Sequence, residues 1–516
     1  MSSKLVKGSF IIMVGNVIFR IGGYLYRFLM ATLLGPSMYG ILGLTLPFQG
    51  IFQILAAGGL PPAIAKYVSQ YNATDKESMA TQTIHTALKI MICLGIFMGF
   101  LMVFIVGPWL ANDIFHNSLA LLPLQAVGLV TPFSVIVGAF RGAFQGVYKM
   151  EYILYSRVVE QLFMILFATG LVLLGLSAFG AVIGTVLGFI ASAIACIYIY
   201  KNFMGKYLKK VDSDFEFSIK DEIKLAKKLV SFSIPVSITA LAEMAIYSVC
   251  TFIMGIFLTD NLIGYFTAAD PIARLPLIIS TSVATTILPA SSEAFSTKNK
   301  VLLDKYVTKS YKYTLMLVIP ICVGIAFFAR PIMRLVYFTN IEYTLGASAL
   351  SILVIGMTFY SVYAISSGII QGIGNPKIPM YILIIGTGIT TILNWYLIPI
   401  YGIGGGAIAT TIASLFIMIP SVYMAFRLTK AHFPYKSVVK ILIASSVLAI
   451  VLWLIPYSVL GLIIGIILGS LTYVILLVIL KTFDKEDITT MRSVCTKFGP
   501  LTKLLNKILD NIENTI

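Results

Sequence analysis

The sequence predicts an all-α integral membrane protein. Fourteen transmembrane helices would form two parallel six-helix repeats around a central cavity, with a further helix pair at the C-terminus. Three observations lead there. The 516 residues are 59% hydrophobic and 11% charged, whereas soluble domains carry about 25% charged residues. Second, the chain is internally duplicated. Gly142-Ala143-Phe144-Gln145-Gly146 returns as Gly368-Ile369-Ile370-Gln371-Gly372, and Gly180-Ala181 with Thr185 returns as Gly406-Ala407 with Thr411. Lys4-Leu5-Val6 matches Lys228-Leu229-Val230, and Gly40 and Pro47 match Gly264 and Pro271, so the offset drifts only between 224 and 226,. Third, the basic residues alternate from loop to loop. Of 37 Lys and Arg, 32 fall at the N-terminus, in every second loop and in the tail. The loops around Pro36, Asn112, Gly175, Asp260, Gly402 and Pro456 carry none. That is the positive-inside pattern of a multi-pass protein of the cytoplasmic membrane with both termini in the cytoplasm.

The elements follow in order. In the first half, apolar runs lie near 8–34, 40–66, 83–107, 119–140, 152–175 and 180–200. Each is long enough to span a hydrocarbon core about 30 Å thick. In the second half they lie near 230–258, 262–291, 311–329, 345–368, 378–399 and 403–426, and a last pair lies near 438–456 and 459–480. Six spans per half return the chain to the starting side, so the repeats are parallel rather than inverted. Arg20 and Arg27 interrupt the first run and no small-residue cleavage site follows, which excludes a cleaved signal peptide,. The resulting divisions are an N-lobe with its cytoplasmic linker (1–227), a C-lobe (228–430), the final helix pair (431–480) and a cytoplasmic tail (481–516). Within the linker, Ser218 with Asp221 and the stripe Ile219, Ile223, Ala226, Val230 predict a capped amphipathic helix,. In the tail, Leu501, Leu504, Leu505, Ile508 and Ile512 share another stripe. Both segments read as lying on the inner membrane surface.

Several function classes drop out. The net charge of +16 is explained by topology, so nucleic acid is not an expected partner,. Cys93, Cys196, Cys250, Cys322 and Cys495 are scattered, with neither metal nor disulfide spacing,. Asp212-Ser213-Asp214, flanked by Lys209 and Lys210, reads as a solvated loop rather than a glycosyltransferase metal motif,. His85, His116 and His432 sit at span ends without partners, and no phosphate loop or nucleophile elbow occurs,. The expectation is transport without enzymatic chemistry, without a cofactor and without a bound metal.

Ionisable groups at membrane depth are costly and are therefore the first place to look for a site. Asn16, Arg20, Gly23 and Arg27 recur at helical spacing on the first span, and the two arginines lie roughly 10 Å apart along the axis,. A guanidinium pair on one wall suits a phosphate or diphosphate, which the planar fork grips bidentately. The bland alternatives for Arg27 are snorkelling to the interface or pairing with an acid on another helix. Asp270 and Arg274 stand at i and i+4, the spacing of a local ion pair, on a span interrupted by Pro271, Pro276 and Pro289,. Glu243 has no basic residue within a helical turn. It is a candidate proton or cation site, with Asn394, Thr410 and Thr411 as further oxygen donors. Such polar residues also serve simply as glue between helices. Arg157 and Glu160 read as a structural pair.

The order Tyr265-Phe-Thr-Ala-Ala-Asp270-Pro-Ile-Ala-Arg274-Leu-Pro276 resembles the eighth helix of MurJ-type lipid II flippases and their Wzx-type and stage V sporulation B-type relatives. All are members of the multidrug/oligosaccharidyl-lipid/polysaccharide (MOP) flippase superfamily. Arg20 and Arg27 followed by Leu34-Gly35-Pro36 and Tyr39-Gly40, and the paired Gly-x-x-Gln-Gly elements, are similar to the same family over roughly residues 1–480. The resemblance implies a flippase that carries a polyprenyl (di)phosphate-linked oligosaccharide or lipid II-like precursor from the inner to the outer membrane face by alternating access. It implies that Arg20, Arg27 and Arg274, with Asn16 and Asp270 beside them, line the diphosphate site of a monomeric carrier in contact with membrane lipid. It also implies a lipid-tail groove at the last two helices. Two departures, Pro271-Ile-Ala between Asp270 and Arg274 and Phe28 where an acid is common, favour a broader lipid-linked saccharide over lipid II itself. Coupling to Na+, to H+ or to membrane potential is left open. A cation-coupled drug exporter of the MATE type shares the architecture and is the alternative.

Overall fold

The computed structural model describes residues 3–74, 76–206, 217–484, 487, 488 and 492, except the side chains of residues 3–20, 73, 206 and 247. The tail stripe at Leu501–Ile512, Asp212-Ser213-Asp214 and Cys495 lie outside the described residues. Among the described residues there are helices and no strands. Ten helices are long and apolar enough to cross a membrane, or eleven if one bent pair counts as a single span.

In chain order, α1 is Ser3–Ala57, α2 Leu60–Ala73, α3 Glu77–Leu101, α4 Leu121–Gly146, α5 Met150–Leu171 and α6 Ser177–Phe203. Then come α7 Ile219–Phe257, α8 Asp260–Ala273, α9 Leu277–Ser296, α10 Lys300–Phe327, α11 Ala347–Gly372, α12 Lys377–Thr429, α13 Tyr435–Trp453 and α14 Val459–Ile479. Three stretches run for 52 to 54 residues: Ile21–Asn72, Met150–Phe203 and Lys377–Thr429. Each is interrupted where the sequence places a loop. Gly35 breaks α1 at φ 70°, ψ 174°. Only glycine enters that region without strain, and the following Pro36 disfavours helix at the preceding residue. Gly175 and Gly402 also stand at positive φ and break the other two stretches. The α7 helix begins as the sequence predicts, with the Ser218 hydroxyl accepting from the Asp221 N–H at 3.3 Å. The Ser218 hydroxyl also donates to the Asp221 carboxylate at 2.7 Å, which holds that carboxyl below its ordinary value.

The chain forms two compact units. Unit 1 comprises the residues up to Ala268 together with Thr339–Tyr343 and Thr390–Ile403. Unit 2 comprises Ala269–Phe338, Thr344–Ile389 and the chain from Gly404 onward. Unit 1 has its core where Leu60, Ile64, Met91, Phe140 and Phe144 meet. Unit 2 has its core around Tyr311, Ile365, Leu448 and Leu477. Wide apolar surfaces remain uncovered, including Leu174 at 80% and Trp453 at 74% exposure. A soluble monomer rarely leaves such surface exposed, whereas a lipid-facing helix must.

The duplicated glycines make close helix packing possible. A methyl on Gly142 would stand 2.6 Å from the Pro61 carbonyl oxygen of α2, and one on Gly146 would stand 3.1 Å from that of Ala65. In the second half, a methyl on Gly368 would stand 2.7 Å from the Ala284 carbonyl oxygen of α9, and Gly372 is pressed against that of Leu288. Both copies thus set two small residues, four apart, against two carbonyls four apart. The matched pair Gly40 and Gly264 meets in unit 1. Gly40 packs on the Asp260 carbonyl and Gly264 on the Pro36 carbonyl, a reciprocal contact between positions related by the repeat. Along α6, Gly180, Gly184 and Gly188 meet Leu171, Ala168 and Met164 of α5, so these two helices run antiparallel on either side of Gly175.

Candidate functional site

The α8 and α9 helices are bent by 48° across Arg274-Leu275-Pro276, and Asp270 and Arg274 belong to unit 2. Pro271 and Pro276 lack the N–H groups that would continue the helical ladder, and Arg274 stands at the break,. Its guanidinium lies on the Asp270 carboxylate, with Nε donating to Oδ1 at 2.8 Å and to Oδ2 at 2.7 Å, and Nη2 reaching Oδ1 at 2.7 Å. The i, i+4 pair expected from the sequence is therefore formed. Arg274 keeps 26% of its side chain exposed and Asp270 keeps 20%, so the pair is accessible rather than sealed.

In unit 1, Asn16, Arg20 and Arg27 all belong to α1. The side chains of Asn16 and Arg20 lie outside the described residues. Arg27 is partly buried and makes no hydrogen bond or ion pair among the described residues. Its neighbour Tyr26 is buried and donates to the Ala181 carbonyl at 3.2 Å, which fixes this turn of α1 against α6. Glu243 on α7 is exposed, again without a partner among the described residues. The buried Asn394 donates through Nδ2 to the Thr390 carbonyl at 2.8 Å, while its Oδ1 has no partner among the described residues. Thr410 donates to the Gly406 carbonyl one turn back at 2.8 Å, and Thr411 donates to Ile352 of α11 at 2.9 Å. No group of three or more His, Cys, Asp or Glu with metal-binding geometry occurs among the described residues.

A second feature in unit 2 is a cavity of about 550 Å³ between α10, α13 and α14, lined by Pro320, Ile321, Phe328, Leu452, Gly465 and Tyr473 among others. The Tyr473 hydroxyl is turned away into a hydrogen bond to the Met316 carbonyl at 2.9 Å. The walls are thus almost wholly hydrocarbon, suited to an alkyl or isoprenoid chain.

Residues 5–295, more than half of the chain, match the polysaccharide biosynthesis protein family. The chain belongs to that family. Residues 235–396 also match the MatE family. An uncharacterized membrane protein of Methanocaldococcus jannaschii is 28% identical over 431 residues, 83% of this chain and 99% of that protein. Lipid II flippase MurJ of Bacillus subtilis is 26% identical over 485 residues, 88% of this chain and 87% of that one. Among solved structures, lipid II flippase MurJ in an inward closed conformation aligns with a TM-score of 0.72 at 21% identity, over 90% of this chain and 97% of that one. An inward-facing MATE transporter of the MOP superfamily aligns with a TM-score of 0.69 at 18% identity, over 80% and 94%. These structures share the fold. The protein is a MurJ-like membrane transporter of the MOP superfamily, of the polysaccharide biosynthesis family, and not an enzyme.

In this polysaccharide biosynthesis family member, two polar clusters escaped the sequence reading. Glu160 lies within electrostatic reach of Arg157, as the sequence suggested, and it also pairs with Arg141 of α4 at 2.8 Å. Arg141 also donates to Ser156 at 2.9 Å, and Ser192 donates to the Ser156 carbonyl at 3.0 Å. The Arg141 guanidinium comes from the preceding helix α4 and also lies at 3.3 Å from the Ser192 hydroxyl of α6. In unit 2, Lys312 bonds Asp484 at 2.8 Å and Asp487 at 2.7 Å, and Tyr313 donates to Asp487 as well. The only sequence signal for this cluster was an acidic pair directly after the last span.

Proposed function

We propose that the protein is a flippase that moves a polyprenyl (di)phosphate-linked oligosaccharide or cell-wall precursor from the inner to the outer face of the cytoplasmic membrane by alternating access. The observation that carries this reading is Arg274, a cation at a proline-made break in a membrane helix, paired with Asp270 and with 26% of its side chain still accessible. A guanidinium grips a (di)phosphate bidentately, and Arg20 and Arg27 on α1 are the further cationic candidates. The apolar cavity between α10, α13 and α14 fits the carrier's hydrocarbon tail. The names of the curated relatives, lipid II flippase among them, support the same class of cargo.

The span count belongs to this proposal. Each of the three double-length stretches, broken at Gly35, Gly175 and Gly402, is taken as two spans. With the bent α8–α9 pair as one more, ten helices become fourteen. Both termini then lie in the cytoplasm, as the lysine-rich loops require, and the carrier works as a monomer without a cofactor. The empty site is positively charged, so an inside-negative membrane potential favours its return to the inner face. Each elementary charge moved is worth about 2.3 kcal/mol per 100 mV.

One observation favours the second reading, a cation-coupled MATE-type drug exporter: Glu243 is exposed on α7 without a counter-ion among the described residues. The two readings separate in proteoliposomes. A fluorescent polyprenyl diphosphate saccharide should become accessible on the opposite leaflet in a protein-dependent manner, while a cationic dye should not accumulate. Dye accumulation driven by Na+ or H+ without lipid translocation would replace the flippase reading with the exporter.

A further inference from the structure

The first turns of α7 present three different faces. Leu225 and Leu229 are buried in the core of unit 1. The stripe Ile219, Ile223 and Val230 stays exposed, Ile219 by 77%. Between the two, Lys220, Lys224 and Lys227 stand exposed on a third face,. An aliphatic stripe beside a row of lysines is poorly placed in water. It is well placed at the boundary between lipid headgroups and acyl chains.

Next to the lysine face, a hollow of about 320 Å³ lies between this helix, the end of α2 and the start of α3, all within unit 1. Its lining includes Tyr71, Met79 and Phe217, two lysines (Lys224 and Lys228) and one acid, Asp221. The acid is already engaged, because the Ser218 hydroxyl donates to it at 2.7 Å and Lys224 lies 3.8 Å away. Rings, rather than carboxylates, hold the neighbouring ammonium groups in place. Lys228 donates to the Tyr71 hydroxyl at 3.1 Å, and its Nζ lies 4.5 Å from the centre of the Tyr67 ring. Lys66 of α2 has its Nζ 4.2 Å from the centre of the Phe232 ring and 5.3 Å from that of Tyr67. A ring face attracts an ammonium without neutralising it. Neither Lys66 nor Lys228 pairs with a carboxylate among the described residues.

We propose that this hollow binds the headgroup phosphate of an anionic phospholipid whose acyl chains lie along the exposed stripe of α7. A zwitterionic lipid brings no net charge to these ammonium groups, and a soluble anion would leave the stripe bare. The test places the full chain in nanodiscs with phosphatidylglycerol or phosphatidylcholine, each carrying a photoreactive group beside the phosphate, and maps the adducts by peptide mass spectrometry. Phosphatidylglycerol should label residues 71–79 and 217–228 roughly fivefold or more above phosphatidylcholine. Lys224→Gln with Lys228→Gln should abolish that excess, and Lys224→Arg with Lys228→Arg should retain it. Lys298→Gln with Lys300→Gln, at the α9–α10 turn, should leave it intact. Equal labelling by the two lipids would overturn the site, as would an excess that survives the Lys224 and Lys228 glutamine pair or falls equally with the Lys298 and Lys300 pair. Displacement of the label by soluble glycerol 3-phosphate or ATP would assign the hollow to a soluble anion and overturn the lipid. Labelling is read without transport, so its outcome is independent of the flippase reading.

Discussion

Lys312 and Asp487 lie 3% and 1% exposed and pair at 2.7 Å, with Asp484 beside Lys312 and Lys309 at 3.5 Å from Asp487. Lys312→Ala leaves Asp487 buried and short of its main partner, and should destabilise the protein by about 3 kcal/mol. Thermal unfolding in detergent should show the loss, and Asp487→Asn in the same chain should recover part of it. Burial alone would raise the Asp487 carboxyl, but the Asp484 N–H, the Lys312 and Tyr313 hydrogen bonds and the Lys312 charge outweigh it and hold the group below its ordinary value of 3.8. Because the folded value is the depressed one, the stabilisation is complete above pH 3.8 and is lost as pH falls through the lower folded value,. An acid titration of the melting temperature should steepen there in the wild type and not in Asp487→Asn. Partners of this kind were not legible in the sequence. Spacing rules see one turn of a helix, so they paired Glu160 with Arg157 and found the Asp270–Arg274 pair. They could not see Arg141 arriving from another helix, or Lys312 meeting acids about 170 residues away.

At the scale of the elements, the duplicated glycines were readable as a repeat, and the structure supplies their physical purpose. Gly372 lies against the Leu288 carbonyl, so Gly372→Ala forces α11 away from α9 and should cost roughly 1–3 kcal/mol,. Gly388, inside α12, has nothing within 4 Å of an added methyl. Gly388→Ala should therefore be neutral or stabilise by up to about 1 kcal/mol. A similar drop in melting temperature for both variants would contradict the packing role. The breaks at Gly35, Gly175 and Gly402 were also legible, because charge-free loops with glycine stood there in the sequence. The cavity between α10, α13 and α14 was not. Its lining residues are as apolar as those that face lipid, and only the placement of three helices distinguishes a groove from a wall.

For the whole molecule, composition and charge alternation announced a multi-pass membrane protein, and the duplication announced its kinship, because both are properties of the chain as a string. The compact units are not. The first one takes in Thr339–Tyr343 and Thr390–Ile403 from the second half, an exchange set by packing rather than by descent. Transport by the proposed cycle should quicken when an inside-negative potential is imposed on proteoliposomes, since it returns the empty cationic site. A rate independent of potential would count against that driving force. The most direct measurement of the central claim compares translocation of a polyprenyl diphosphate oligosaccharide by wild type, Arg27→Ala and Arg274→Ala at equal amounts of folded, reconstituted protein. The anion-binding account predicts wild-type translocation and at least a tenfold loss in each variant. Wild-type rates in both variants would contradict it.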